Sequence, residues 1–167
     1  LAYYRETRYG RIAVHQDREQ FTLFEDGIPA FSSQSLSIAE ETVHYPLSQL
    51  DRIEHVLLIS AQGGVMAELQ KYQLESIDYV ELDPEVSAVQ FRFGLIKAVP
   101  GLKVIHQDGR AYLAQTDKIY NAIIVNLPEP GTFQMNRFYT DRFFELAQKR
   151  LSKEGVLSFS MQGFDNY

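Results

Sequence analysis

The sequence predicts an α/β protein: a mostly parallel sheet with helices on both faces, preceded by a small antiparallel β-hairpin region. Three observations carry this. From Ile53 onward, short apolar runs alternate with segments of helical periodicity, which implies parallel strands joined by right-handed crossovers. His55–Ile59 is a buried-strand run, followed by the small-residue stretch Ser60-Ala-Gln-Gly-Gly64 and then by Val65, Met66, Leu69 and Tyr72 at helical spacing. Strand, glycine turn and helix form the nucleotide-cradling unit of open sheets, because glycine admits a ligand close to the backbone and a helix start offers free N–H groups. Finally, Tyr120–Leu127 is a near-continuous apolar run, the mark of a strand covered on both faces. Neither G-x-G-x-x-G nor the Walker pattern is present, so the unit is read from element order.

Composition narrows the function classes. The 167 residues are 45% hydrophobic and 23% charged, the size and balance of one globular domain with a real core. A net charge of -6 and a pI near 5.2 argue against a sequence-independent grip on nucleic acid. No run reaches the length of a membrane span, and Arg5, Glu6, Arg8 and Arg11 interrupt any signal-peptide pattern. Without cysteine, disulfides and thiolate metal sites are excluded. The four histidines have no ligand spacing, so no metal is expected, and His55 and His106 read as structural. The chain starts and stops inside apparently structured segments, so a fragment of something longer is expected.

Taken in order, Arg11–His15 and Gln20–Glu25 read as strands around the loop Asp17-Arg-Glu19, and Asp26-Gly27 is a second turn before a short segment through Phe31. Residues 1–36 are thus a β-hairpin appendage, and 37–167 the nucleoside-binding unit. Ser37-Ile-Ala-Glu40 fits a capping box that starts a helix to about Leu50, bent by Pro46. After the central strand, turn and helix come a strand from Ser76 to Leu82 and a helix opened by Asp83-Pro84-Glu85, ending near Phe93 and Gly94. Leu102–Gln107 is the third parallel strand, with Asp108-Gly109 as the turn into a short helix over Arg110–Gln115. Thr140 caps a helix to Leu151, Gly155 ends it, and Val156–Met161 is the fifth strand.

In such sheets ligands sit off the carboxyl ends of the strands. The turn residues Gln62, Gly63 and Gly64 belong there. Glu81 follows Gly64 by 17 residues, the interval at which an acid accepts both ribose hydroxyls. The alternative is that Glu81 or Asp83 caps the next helix. Asp108, with Gly109 making room, can accept from an exocyclic amine such as the adenine N6, or else serve as turn and cap. Asn126-Leu-Pro-Glu-Pro130 sets Asn126 and Glu129 around a stiff double-proline turn, a geometry suited to a reaction centre but also found in plain loops. Tyr139, within the cluster Phe138, Tyr139, Phe143 and Phe144, is placed to line the substrate end of a pocket.

Several stretches together resemble the spermidine synthase (polyamine aminopropyltransferase) family. They are Tyr9-Gly-Arg-Ile12, Leu23-Phe-Glu-Asp-Gly27 with Phe31-Ser-Ser33, Val80-Glu-Leu-Asp-Pro84, Asp108-Gly-Arg110, Tyr120-Asn-Ala-Ile-Ile-Val-Asn126 and Phe138-Tyr-Thr140, in family order. Leu127-Pro-Glu-Pro130 with Asn136-Arg-Phe-Tyr139 is similar to the membrane-fused bacterial branch, in which a synthase-like domain follows a transmembrane region. The resemblance implies an S-adenosylmethionine methyltransferase-like (Rossmann-like) fold, a cytoplasmic location for this domain, association of copies as a homodimer through the β appendage, and a final strand hairpin after the fifth strand. It also implies transfer of an aminopropyl group from decarboxylated S-adenosylmethionine, a co-substrate rather than a tightly bound cofactor, to a diamine such as putrescine. Glu81 would hold the ribose and Asp108 the adenine. The position of Asn126 would carry the acid that helps deprotonate the amine, and Glu129 would orient that amine.

This sequence departs from the family pattern at several of those positions. The family's G-G-G-D-G-G turn is here Ser60-Ala-Gln-Gly-Gly64, one residue shorter and without the acid. Asn126 is neutral, so general-base help worth about 10²–10⁴-fold is missing. Gly10 and Ala30 replace glutamines, and Ser35, Ser37 and Glu40 stand where the family has an acid, a tyrosine and a histidine. Nucleoside contacts are therefore better kept than polyamine contacts. Two further readings stay open: a catalytically silent module that binds an adenosyl ligand, and an S-adenosylmethionine-dependent methyltransferase acting on another nucleophile.

Overall fold

A computed structural model describes residues 1–32, 36–127 and 136–160. Two sheets organise it. An antiparallel sheet runs in the order β1 (Tyr3–Glu6), β2 (Arg11–Asp17), β3 (Gln20–Glu25) and β4 (Ile28–Ser32). The two-residue turn Asp26-Gly27 has φ of +50° and +83°, the left-handed pair that matches the twist of a tight hairpin. β1 was not expected from the sequence. Apart from the half-buried Tyr3 its residues are exposed, so this edge strand has little hydrophobic alternation to reveal it.

The second sheet has the order β7-β6-β5-β8-β9, every pair parallel. Its strands are β5 (His55–Ile59), β6 (Ser76–Glu81), β7 (Leu102–His106), β8 (Tyr120–Val125) and β9 (Leu151–Phe159). The helices are α1 (Leu36–Leu47), α2 (Val65–Leu69), α3 (Pro84–Arg92), α4 (Gly109–Gln115) and α5 (Asp141–Gln148). The chain leaves β5 towards β6 and β7, then crosses back to β8 and β9. The strand order therefore reverses between β5 and β8, the place where open sheets form a ligand crevice.

Alternation along β5 shows why the central strands look continuously apolar. Val56 and Leu58 pack with Val43, Leu47, Met66 and Leu69 on one face. Leu57 and Ile59 pack with Leu113, Ile123 and Phe143 on the other. A third cluster, Ile12, Val14 and Leu23 against Val86 and Val89, seats the antiparallel sheet on α3.

Several boundaries differ from those expected. α1 begins at Leu36, so Ser37 lies inside the helix and the capping box does not form. Pro46 sits in the last turn of α1, and the helix ends at Leu47 instead of reaching Leu50. α2 ends at Leu69. Tyr72 lies beyond it, its hydroxyl 2.6 Å from Nδ1 of His44. α5 stops at Gln148 and Leu151 opens β9 instead of closing the helix. Leu151 pairs with Tyr120 and Val156 with Ala122. β9 thus absorbs Ser152–Gly155 as a local irregularity, and Gly155 lies within the strand. Met161 falls outside the described residues.

Candidate functional site

The turn after β5 is an uncommon backbone. Ser60 has φ +63°, Gly63 +64° and Gly64 +83°. A left-handed residue with a Cβ costs about 1–2 kcal/mol, so Ser60 must be held in place. Its N–H donates to the carbonyl of Val80 at 2.9 Å. Two side-chain amides hold the next carbonyls. Gln90 Nε2 donates to Ala61 O at 2.7 Å, and Asn126 Nδ2 donates to Gln62 O at 2.8 Å. Asn126 also extends the β8 ladder, its N–H donating to Ile59 O at 2.9 Å.

Glu81 ends β6 and is 8% exposed. Its Oε2 accepts from the Tyr79 hydroxyl at 3.1 Å and its Oε1 from the Asp83 N–H at 3.3 Å. The same hydroxyl lies 2.9 Å from Gln90 Oε1. Glu81 is thereby linked through Tyr79 and Gln90 to the turn at Ala61. Burial raises its carboxyl above the ordinary glutamate value; the bonds from Asp83 and Tyr79 oppose that rise. The turn, Glu81 and Asn126 are brought together by this network. Sequence reasoning missed Gln90 and Tyr79, which on a helix and a strand look like ordinary interior positions.

Asp83 caps α3 through the Glu85 N–H at 2.9 Å. It also accepts from Thr7 Oγ1 at 2.6 Å, tying the antiparallel sheet to the strand ends. Glu25 lies close by, its carboxyl pushed up to about 7 by burial and then by the charges of Glu81, Asp83 and Asp26. A cavity of about 320 Å³ opens beside Asp83, lined by Arg5, Thr7, Tyr9 and Glu85 among others. It flanks the strand-end network instead of covering the glycine turn.

The tip of β7 sits next to Glu81, since the Gln107 N–H donates to the Glu81 carbonyl at 3.2 Å. Asp108 follows directly. Its Oδ1 accepts from the Arg110 and Ala111 N–H groups at 3.1 and 3.0 Å, and its Oδ2 pairs with Arg137. Asp108 is thus the N-cap of α4, and among the described residues no hydrogen bond joins its side chain to the Glu81 network. Gly109 opens that helix. A Cβ there would stand 2.8 Å from Ile59 Cγ2 and 3.3 Å from Phe138 Cε1, so only glycine lets α4 close onto the end of β5. Tyr139 stacks near Phe159, ring centroids 5.1 Å apart, on the α4–α5 face of the sheet. Glu129 lies outside the described residues. His55 and His106 bond Ser76 and Ser87 at 2.9 and 2.8 Å, and His44 lies between Tyr72 and Glu68, all structural arrangements. Among the described residues no group of three His, Cys, Asp or Glu side chains is arranged to hold a metal, and no helix is long and apolar enough to cross a membrane.

Residues 36–164 match the family model "Spermine/spermidine synthase domain". A polyamine aminopropyltransferase of Oceanobacillus iheyensis is 31% identical over 162 residues, covering 91% of this chain and 32% of that relative. Among solved structures, a spermidine synthase in complex with the transition-state analogue AdoDATO overlays with a TM-score of 0.82 at 20% identity, covering 95% of this chain and 57% of the other. Human methyltransferase-like protein 13 in complex with SAH overlays more loosely, with a TM-score of 0.55 at 21% identity over 72% of this chain and 60% of its own. The five-stranded parallel sheet with helices on both faces is therefore a methyltransferase-like α/β fold, here carrying a four-stranded antiparallel sheet at its N-terminal side. More narrowly, the chain belongs to the spermine/spermidine synthase family. It spans about a third to a half of the length of the curated relatives it matches.

Proposed function

We propose that residues 37–167 bind an adenosyl ligand, decarboxylated S-adenosylmethionine or its product 5′-methylthioadenosine, and transfer an aminopropyl group slowly to a polyamine, with 1–36 as the hairpin appendage. The observation that supports this most is the hydrogen-bonded link from the Glu81 carboxylate to the turn at Ala61. Glu81 would accept the two ribose hydroxyls, whose donation favours the charged form and offsets the effect of burial. Gln62, Gly63 and Gly64 would meet the ligand through their backbone. Asp108 would take the adenine amine on an oxygen now shared with Arg137; Gly109, expected to make room for the base, instead lets α4 pack against Ile59 and Phe138. Tyr139 would line the acceptor end.

In the transfer, an amine nitrogen attacks the aminopropyl carbon next to the sulfonium sulfur. The C–S bond breaks, its electron pair returns to sulfur to give 5′-methylthioadenosine, and the nitrogen then releases a proton. Asn126 accepts hydrogen bonds through its carbonyl oxygen but takes no proton, so the step lacks about 10²–10⁴-fold of general-base assistance. Glu129 would orient the amine. One observation favours the alternative, a silent adenosyl-binding module: the Asn126 amide is already engaged with Gln62.

Calorimetry with 5′-methylthioadenosine, followed by a putrescine transfer assay, tests the proposal. Binding with slow turnover is expected. Binding without turnover leaves the silent module, and turnover of S-adenosylmethionine with methyl transfer would replace both. No heat at millimolar ligand defeats every version.

A further inference from the structure

Two carboxamides hold consecutive carbonyls of the turn between β5 and α2. Gln90, 1% exposed on α3, reaches Ala61 O; Asn126, at the tip of β8, reaches Gln62 O. A carbonyl oxygen only accepts, so each side chain must present its NH2 end. This requirement excludes an ionised acid at either position, because a carboxylate has no proton to donate. The far end of Gln90 lies 2.9 Å from the Tyr79 hydroxyl, whose single proton is shared between Gln90 Oε1 and Glu81 Oε2, 3.1 Å away. Between the two held carbonyls and the start of α2 lie Gly63 and Gly64, both left-handed.

We propose that Gln90 and Asn126 are positioning residues, a paired clasp that holds the Ser60–Gly64 turn at a fixed separation from Glu81 so that both meet one adenosyl ligand. This rests on the adenosyl-binding reading above. It gives Asn126 a task that a carboxylate in the same place cannot perform: an acid that draws a proton from an amine would face the Gln62 carbonyl with like partial charge. In this chain's shortened turn, an ionised acid at position 126 would give up the bond to Gln62.

The test uses the full chain and 5′-methylthioadenosine as the probe. Affinity is measured for the wild type, Gln90→Met, Asn126→Ala and Asn126→Asp, each as a ratio to wild type at pH 5 and pH 8. Loss of one neutral donor should weaken binding about fivefold. At pH 8, Asn126→Asp should be weakened more than Asn126→Ala. On acidification it should regain affinity relative to the wild type, since burial at a position 8% exposed and the facing Gln62 carbonyl both favour the protonated carboxyl, which can donate again. Asn126→Ala should show no such recovery. Hydrogen exchange without ligand supplies a second measurement, in which the Gly63 and Gly64 amides exchange faster in Gln90→Met and Asn126→Asp while those of β5 do not change.

Wild-type affinity in Asn126→Asp at pH 8, or equal recovery in Asn126→Ala, overturns the clasp and leaves the ligand reading standing. If the wild type binds nothing, the ligand reading fails. The clasp is then decided by exchange alone, with faster Gly63 and Gly64 amides supporting it and unchanged ones overturning it.

Discussion

Two buried acids three residues apart on β6 have opposite surroundings. Asp78 is fully buried and bonded from within the protein: Lys118 Nζ lies 3.0 Å from Oδ1 and 2.8 Å from Oδ2, and the Tyr120 and Tyr112 hydroxyls, 2.7 Å from each other, lie 2.6 and 3.0 Å from Oδ2. Burial pushes its carboxyl up, yet the bonds from Lys118, Tyr120 and Tyr112 together hold it below the ordinary aspartate value. Glu81, at the carboxyl end of the strand, is bonded by neutral groups and by no cation among the described residues, and burial lifts it. The difference is the partner's charge: Asp78 is held by a cation, whereas among the described residues the bonds to Glu81 come from neutral groups. The first arrangement is a structural staple. The second leaves room for the ribose contact proposed above.

The largest expected effect breaks the staple. Lys118→Met leaves the Asp78 charge buried without its cation and should destabilise the fold by about 3 kcal/mol, the low end for breaking a buried pair because the Lys118 side chain is 49% exposed and screened, read from the urea midpoint. A loss under about 1 kcal/mol would show that Asp78 and Glu81 are not so different. The sign of the pH dependence agrees. Because the folded value of Asp78 lies below 3.8, its stabilisation is present above that pH and fades as pH falls through the folded value.

Glu25 offers the next largest effect, on the Glu81 side of the comparison. Its folded value near 7 lies above 4.5, so the protonated form stabilises the fold below pH 4.5 and that contribution is lost as pH rises towards 7. Glu25→Leu should therefore raise stability at pH 8 by up to about 3 kcal/mol relative to wild type and flatten the slope between pH 5 and 7. Unfolding curves at the two pH values check this, and an unchanged slope would contradict it. Asp108→Ala gives the smallest effect, about 1 kcal/mol from the lost cap of α4. A calorimetric loss of 5′-methylthioadenosine affinity beyond that would mark Asp108 as a ligand group as well as a cap.

The parallel sheet was legible in the sequence because β5 and β8 are buried on both faces and read as unbroken apolar runs. The Asp83-Pro84-Glu85 helix start was legible because capping is local chemistry. β1 was not, since an exposed edge strand carries no period. The end of α5 was misplaced because Leu151 continues the helical spacing of Phe143 and Ala147, while pairing with β8 draws it into β9. Within the candidate site, the acids at the strand tips could be named from spacing. The links between them could not, because Tyr79, Gln90 and Asn126 meet the turn only through tertiary contacts.

Glu81 as the ribose acceptor is the contact on which the proposed ligand depends. Calorimetry of 5′-methylthioadenosine with the wild type and Glu81→Gln tests it most directly, with unfolding midpoints confirming that the variant folds. Measurable binding by the wild type and a loss of about 10- to 100-fold in the variant are predicted, the range for a charge-assisted hydrogen bond. Equal affinity for the two proteins would contradict it.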